Sequence, residues 1–221
     1  MGYRLNSVHK EAQPVVVVID DDEDVREALR GLLRSVGLQV EVYGTVQAFL
    51  TDGAVERPGC LVLDVRLPGQ GGLEFYEGIA KAKLPLPVIF ISAHADVSMS
   101  VRAMKAGAVE FLTKPVRHQD LLEAILRAIE KDRVRRNEER AVAVLRADYD
   151  TLTSREREVM TQVVAGRLNK QIAMAIGITE ATVKLHRGHV MRKMQAQSLA
   201  ELVRMSDKLS FSGVIPEAPR P

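Results

Sequence analysis

Cysteine occurs once in the 221 residues, at Cys60, and tryptophan not at all; tyrosine and phenylalanine number only four and five. A single cysteine excludes an intrachain disulfide and fits a reducing compartment, so the cytoplasm is the expected location. Its apolar neighbours, CLVLDV, mark the thiol as buried and structural rather than reactive. No apolar run approaches the ~20 residues that span a bilayer. The first residues, MGYRLNSVHKEAQ, lack the apolar core of a signal peptide, and no membrane partner is expected. Neither sign of charge dominates, the formal net charge being +2, and internal repeats are missing.

What is present argues for two folded domains. A hydrophobic content of 46% is enough for packed cores and excludes wholesale disorder. The length suits two small domains better than one. Charge is unevenly spread: between Thr151 and Leu209 basic residues outnumber acidic ones two to one, leaving the remainder slightly acidic. A basic C-terminal part on an acidic N-terminal part fits a polyanion-binding module joined to something else.

Residues 14–19, PVVVVI, are apolar throughout, the pattern of a strand buried on both faces of a parallel sheet. Asp22 can cap the helix that follows, where Val25, Ala28, Leu29, Leu32, Leu33 and Val36 recur at helical spacing. Strand and helix patterns then alternate through LQVEVY, a short helix capped by Thr45, CLVLDV, GLEFYEGIAKA, PVIFIS, DVSMSVRAMKAG, AVEFLTKP and a long helix after Pro115. Five strands alternating with five helices predict a doubly wound α/β domain with a parallel sheet. On the fourth helix Val97, Val101 and Met104 fall at helical spacing and read as core. The charged stretch EKDRVRRNEERAVAVLRADYD has no Pro or Gly and reads as an extended helical linker, with a flexible charged linker as the alternative.

Thr153 and Glu156 match a capping box, as do Ser198 and Glu201, and four helices in the C-terminal segment predict a small all-α domain. The expected divisions are an N-terminal extension over 1–13, the α/β domain over 14–130, the linker over 131–150, the all-α domain over 151–209 and a Pro-rich, disordered tail over 210–221.

In an open α/β sheet, ligands bind beyond the carboxyl ends of the strands. Asp20 and Asp21 follow the first strand, Asp64 ends the third, and two further strand ends supply Ser92 and Lys114. Clustered carboxylates raise one another's pKa and call for a cation; oxygen donors of this kind suit Mg²⁺. This pattern resembles the receiver domain of bacterial two-component systems over about 115 residues, with every signature position filled. The resemblance implies that Asp64 accepts a phosphoryl group from a sensor histidine kinase. Asp20, Asp21, Asp64 and the backbone carbonyl of Arg66 would hold Mg²⁺. Lys114 and Ser92 would contact the phosphoryl oxygens, and Phe111 would enter the space Ser92 vacates. Arg66 and His94, two residues after Asp64 and Ser92, are expected to tune dephosphorylation. The Gly69–Gly72 cluster after Pro68 matches no phosphate-binding loop and reads as a turn. An aspartate-nucleophile phosphohydrolase would want a second acid two residues after Asp64, where Arg66 stands, so a turnover enzyme is not expected.

The segment LTSREREV, the run AGRLNKQIA and TVKLH followed by VMRKM resemble the LuxR-type helix-turn-helix, and the whole chain resembles the FixJ/NarL class of response regulators. Val183, Val190 and Met194 share one face of the second helix, while Lys184, Leu185, Gly188 and Arg192 lie opposite, as major-groove docking requires. By the resemblance Lys184, Leu185 and position 188 approach base edges, though Gly188 has no side chain to make the contact. Lys170, Thr179, Thr182 and Arg192 are expected on phosphates, and Arg187 on a guanine edge or a phosphate. His186 and His189 read as packing or surface residues. The expected partners are the kinase, double-stranded DNA, RNA polymerase and, once phosphorylated, a second copy of the chain meeting it around Arg102, Lys105 and Glu110.

Overall fold

The computed structural model describes residues 13–52, 57–67, 86–93 and 97–214, and the chain divides into two units between Arg136 and Asn137. In the first unit five parallel strands, β1 (Val15–Ile19), β2 (Gln39–Tyr43), β3 (Gly59–Asp64), β4 (Val88–Ser92) and β5 (Glu110–Thr113), run in the order β2-β1-β3-β4-β5. Every residue of β1, β3 and β4 is buried, which explains why their sequences are apolar without alternation. The edge strands β2 and β5 are only half-buried.

The sheet has a core on each face. Val17, Ile19, Leu61, Leu63 and Phe90 point to one side; Val16, Val18, Cys60, Val62, Ile89 and Ile91 point to the other. On this second side Leu33 of α1 (Glu23–Ser35) and Leu121, Ala124, Ile125 and Ala128 of α4 (His118–Asp150) close the layer. Each fully buried Leu or Ile contributes about 1.5–3 kcal/mol. Gly59 starts β3 where a Cβ would collide with the carbonyl oxygen of Val15, so the close approach of these strands depends on glycine. The remaining described helices of this unit are α2 (Val46–Asp52) and α3 (Val97–Lys105). The predicted helix GLEFYEGIAKA, the turn at 68–72 and His94 lie outside the described residues.

Two local expectations hold and two change. Asp22 caps α1, accepting from the N–H groups of Asp24 and Val25, and Thr45 accepts from Ala48 N–H at the start of α2. By contrast Val97, Val101 and Met104, read as core, are 80%, 44% and 47% exposed. Helical spacing places them on one stripe but does not say which way the stripe faces; here it faces outward. Val36 at the end of α1 is likewise 51% exposed.

α4 is one helix of 33 residues, so the charged stretch after Ile129 takes the helical of the two conformations considered. Asp132 on it is fully buried and accepts from Gly59 N–H at 3.0 Å and from Arg136 Nε at 2.8 Å.

The second unit packs α5 (Ser154–Val164), α6 (Asn169–Ile176), α7 (Glu180–Lys193) and α8 (Leu199–Phe211) around Val159, Met160, Ile172, Val183, Val190, Met194 and Leu202. Thr153 and Glu156 form the predicted capping box. The second box is only half made: Ser198 accepts from Glu201 N–H, but the Glu201 carboxylate takes Gln197 N–H instead of that of Ser198. Gly177, at φ 67°, ends α6 in the left-handed conformation and leads through Ile178 to Thr179, the cap of α7.

Candidate functional site

Three acidic residues meet at the carboxyl ends of β1 and β3, on either side of the point where strand order reverses. A carboxylate oxygen from each of Asp20, Asp21 and Asp64 lies within 4.8 Å of the others. Asp20 and Asp64 are buried; Asp21 is exposed. Lys114, at the end of β5, reaches across β4 and places Nζ 2.7 Å from Asp20 Oδ2 and 2.5 Å from Asp64 Oδ2. Burial pushes the Asp20 carboxyl above its ordinary range, against the pull of Lys114. Burial also works against the Lys114 ammonium, but its hydrogen bonds to Asp20 and Asp64 outweigh that and hold its pKa up. Three carboxylates against one ammonium leave the pocket short of positive charge, so its oxygens fit a hard divalent ion.

The backbone around the pocket is fastened by its own side chains. Asp20 Oδ1 accepts from Asp22 N–H at 3.0 Å, and Asp64 Oδ1 from Arg66 N–H at 2.8 Å. Arg26, which sequence reasoning missed, donates Nη1 to the carbonyls of Asp20 at 2.7 Å and Asp21 at 2.9 Å. Its signal is only a basic residue one turn into a helix whose cap follows an acidic pair. Ser92 is buried at the end of β4, and its carbonyl accepts from Lys114 N–H at 2.8 Å. The half-buried Phe111 ring on β5 lies 6.2 Å from that of Phe90. Beside Lys114 a cavity of about 240 Å³ opens between α1 and the start of α4, lined by Val25, Leu29, Leu32, Val116 and Leu121 among others. The apolar stripe of α1 is therefore only partly covered.

In the second unit α6, the Gly177 turn and α7 form a helix-turn-helix. Val183 and Val190 bury one face of α7, and Met194 caps it in the core. Lys184, Gly188 and Arg192 are exposed and Leu185 is 58% exposed, all on the outward side. Gly188 has open space above it. Thr179 Oγ1 accepts from Thr182 N–H at 3.2 Å, and the two hydroxyls are 2.8 Å apart. Lys170 is exposed on α6, while Arg187 is tethered, donating Nη1 to Asn169 Oδ1 at 3.0 Å.

A parallel sheet with a carboxylate–lysine pocket at its switch point, followed by a helix-turn-helix, defines a two-component response regulator with a DNA-binding output. Comparison with known proteins agrees. Residues 16–126 match the response regulator receiver domain, and residues 150–206 match the bacterial regulatory proteins of the luxR family. Nodulation protein W of Bradyrhizobium diazoefficiens is 48% identical over 206 residues, covering 92% of this chain and 91% of that protein. The transcriptional regulatory protein FixJ of Rhizobium meliloti is 41% identical over 191 residues, 86% of this chain and 94% of that protein. The solved structure of the response regulator StyR superposes with a TM-score of 0.81 at 45% identity, covering 89% of this chain and all of the other. The chain belongs to the FixJ/NarL class of response regulators, in which a receiver domain is joined to a LuxR-type DNA-binding domain.

It is accordingly a phosphorylation-dependent transcriptional regulator rather than a turnover enzyme, with a kinase as phosphodonor and DNA as target. Receiver domains bind Mg²⁺ through acidic residues, and Asp20, Asp21 and Asp64 make such a cluster. No helix among the described residues is long and apolar enough to cross a membrane.

Proposed function

We propose that Asp64 is the phosphoacceptor and that its modification drives the receiver to dimerise and the paired output domains to bind an operator. The observation that carries this reading is Lys114 Nζ lying against both Asp20 and Asp64, the one ammonium among the described residues paired with the acceptor carboxylate and its acidic neighbour. In this assignment Asp20, Asp21, Asp64 and the Arg66 carbonyl hold Mg²⁺, and the Arg26 contacts to the Asp20 and Asp21 carbonyls stiffen the loop that presents two of those groups. When bound, Mg²⁺ supplies positive charge to the phosphoryl oxygens, the main requirement of phosphoryl transfer. Lys114 exchanges one carboxylate contact for a phosphoryl oxygen. Ser92 then donates its hydroxyl to the phosphoryl group, and Phe111 turns into the space released.

The exposed stripe Val97, Val101 and Met104, flanked by Arg102 and Lys105 with Glu110 on β5, supports self-association through the α3–β5 face. On DNA, Lys184 and Leu185 read base edges and the backbone at Gly188 approaches closely. Lys170, Thr179, Thr182 and Arg192 hold phosphates; a threonine hydroxyl that accepts a capping N–H still has its proton to donate. Arg187, steadied by Asn169, offers its guanidinium to a guanine edge or a phosphate. The receiver is assigned to 14–130, the linker to 131–150 and the DNA-binding domain to 151–209. RNA polymerase is the downstream partner, and the setting is the cytoplasm.

The test is size-exclusion chromatography together with operator binding, with and without beryllofluoride and Mg²⁺. The proposal expects a monomer to become a dimer and DNA affinity to rise. An Asp64→Asn chain that responds equally would overturn it.

A further inference from the structure

Glu156, His186 and His189 come together where the first turn of α5 meets the middle of α7. A carboxylate oxygen of Glu156 and one imidazole nitrogen of each histidine all lie within 4.8 Å of one another. The histidines are three residues apart on α7, so their side chains sit one turn apart, with ring centroids 6.4 Å apart and planes crossing at 86°. They occupy the flank between the buried stripe of Val183 and Val190 and the outward Lys184–Leu185 side. His186 Nδ1 is buried and has no hydrogen-bond partner among the described residues, an unusual state for an imidazole nitrogen.

The Glu156 side chain is 5% exposed and uses its two oxygens differently. Oε2 accepts from Thr153 N–H at 2.8 Å and Lys193 Nζ at 2.7 Å, while Oε1 faces His189 Nδ1 at 3.3 Å. That last separation is long for a charge-assisted hydrogen bond, ordinarily about 2.7–2.9 Å. It matches the nitrogen–oxygen edge, about 3.3 Å, of a tetrahedron built on metal bonds of about 2.0–2.1 Å.

We propose that Glu156, His186 and His189 form a binding site for a divalent transition ion, with Zn²⁺ the best match and water as the fourth ligand. Two imidazoles and a carboxylate suit Zn²⁺ and its neighbours in the series, whereas the all-oxygen pocket around Asp64 suits Mg²⁺. Lys193 acts as the outer partner that orients the carboxylate. The same ammonium repels a cation, so binding is weaker than in closed four-ligand sites. One donor atom from each side chain lies within 4.8 Å of the others, against a tetrahedral edge of about 3.3 Å, so the donors draw together when an ion binds. An ion held there would tie the recognition helix to α5.

The experiment titrates the full chain with Co²⁺ while saturating Mg²⁺ occupies the carboxylate pocket. Tetrahedral Co²⁺ with nitrogen donors absorbs strongly in the visible, and octahedral all-oxygen Co²⁺ only weakly. One equivalent should produce the intense band, Zn²⁺ should displace it, and both His186→Gln and His189→Asn should abolish it. His189, with 35% of its side chain exposed, tolerates replacement, and unchanged circular dichroism without metal confirms the fold. If His186→Gln fails to fold, His189→Asn decides alone. An intense band retained in a folded variant, or none in the native chain, overturns the proposal.

Discussion

Replacing Asp132 by alanine tests how the long helix is held to the receiver. The carboxylate is fully buried and accepts from Gly59 N–H at 3.0 Å, Arg135 Nε at 3.2 Å and Arg136 Nε at 2.8 Å. Alanine leaves the Gly59 amide without an acceptor, which costs about 1–3 kcal/mol. It also removes one carboxylate partner from each of Arg135 and Arg136; a fully dry ion pair so broken costs about 3–5 kcal/mol. Arg135 and Arg136 retain 27% and 15% of their side-chain exposure, so water recovers much of that second cost. The sum is about 3 kcal/mol, which for a domain of this size lowers the melting temperature by about 10 °C. Urea denaturation of the full chain, followed through the receiver transition, measures it. Asp132→Asn keeps an acceptor for Gly59 and should lose about half as much. A loss below about 1 kcal/mol in Asp132→Ala would refute the view that this carboxylate anchors the helix to the start of β3.

Three further outcomes follow from the same geometry. Val101→Glu, at a 44% exposed position on α3, should leave stability within about 0.5 kcal/mol yet keep the beryllofluoride-treated protein monomeric, as light scattering would show. Leu185→Ala, 58% exposed on α7, should cost about 1–2 kcal/mol of operator affinity without lowering the melting temperature, read by DNA titration beside thermal unfolding. The Glu156 carboxyl is held down to about 2, chiefly by Lys193, from an ordinary 4.5. A depressed carboxylate stabilises the fold above its unfolded pKa and loses that contribution as pH falls through its folded one. The DNA-binding unit should therefore keep this contribution down to about pH 4.5 and lose it progressively towards pH 2, and Lys193→Met should move acid unfolding to higher pH in circular dichroism.

The residues that could be read in advance are those whose role is local or periodic. Apolar runs without alternation identified β1, β3 and β4 as strands buried on both faces, and Asp20, Asp64, Ser92 and Lys114 then fell at their carboxyl ends. Thr153 and Glu156 were legible as a capping box because both partners lie within one turn. What escaped depends on tertiary neighbours. Val97, Val101 and Met104 form a stripe whose exposed direction no spacing reveals. Asp132 looks like one more charge on a polar helix until the fold delivers Gly59 to it, across 73 positions of sequence. Arg26 and the Glu156–His189 approach are hidden for the same reason: backbone carbonyls and distant helices leave no pattern in a side-chain sequence.

The central claim is that one carboxylate, that of Asp64, takes the phosphoryl group beside Lys114. Incubation with acetyl phosphate and Mg²⁺, followed by mass mapping after borohydride reduction of the acyl phosphate, measures this directly. The account predicts a single modified residue, Asp64, and no modification in Asp64→Asn. Label on another residue, or none while Mg²⁺ is present, would contradict it.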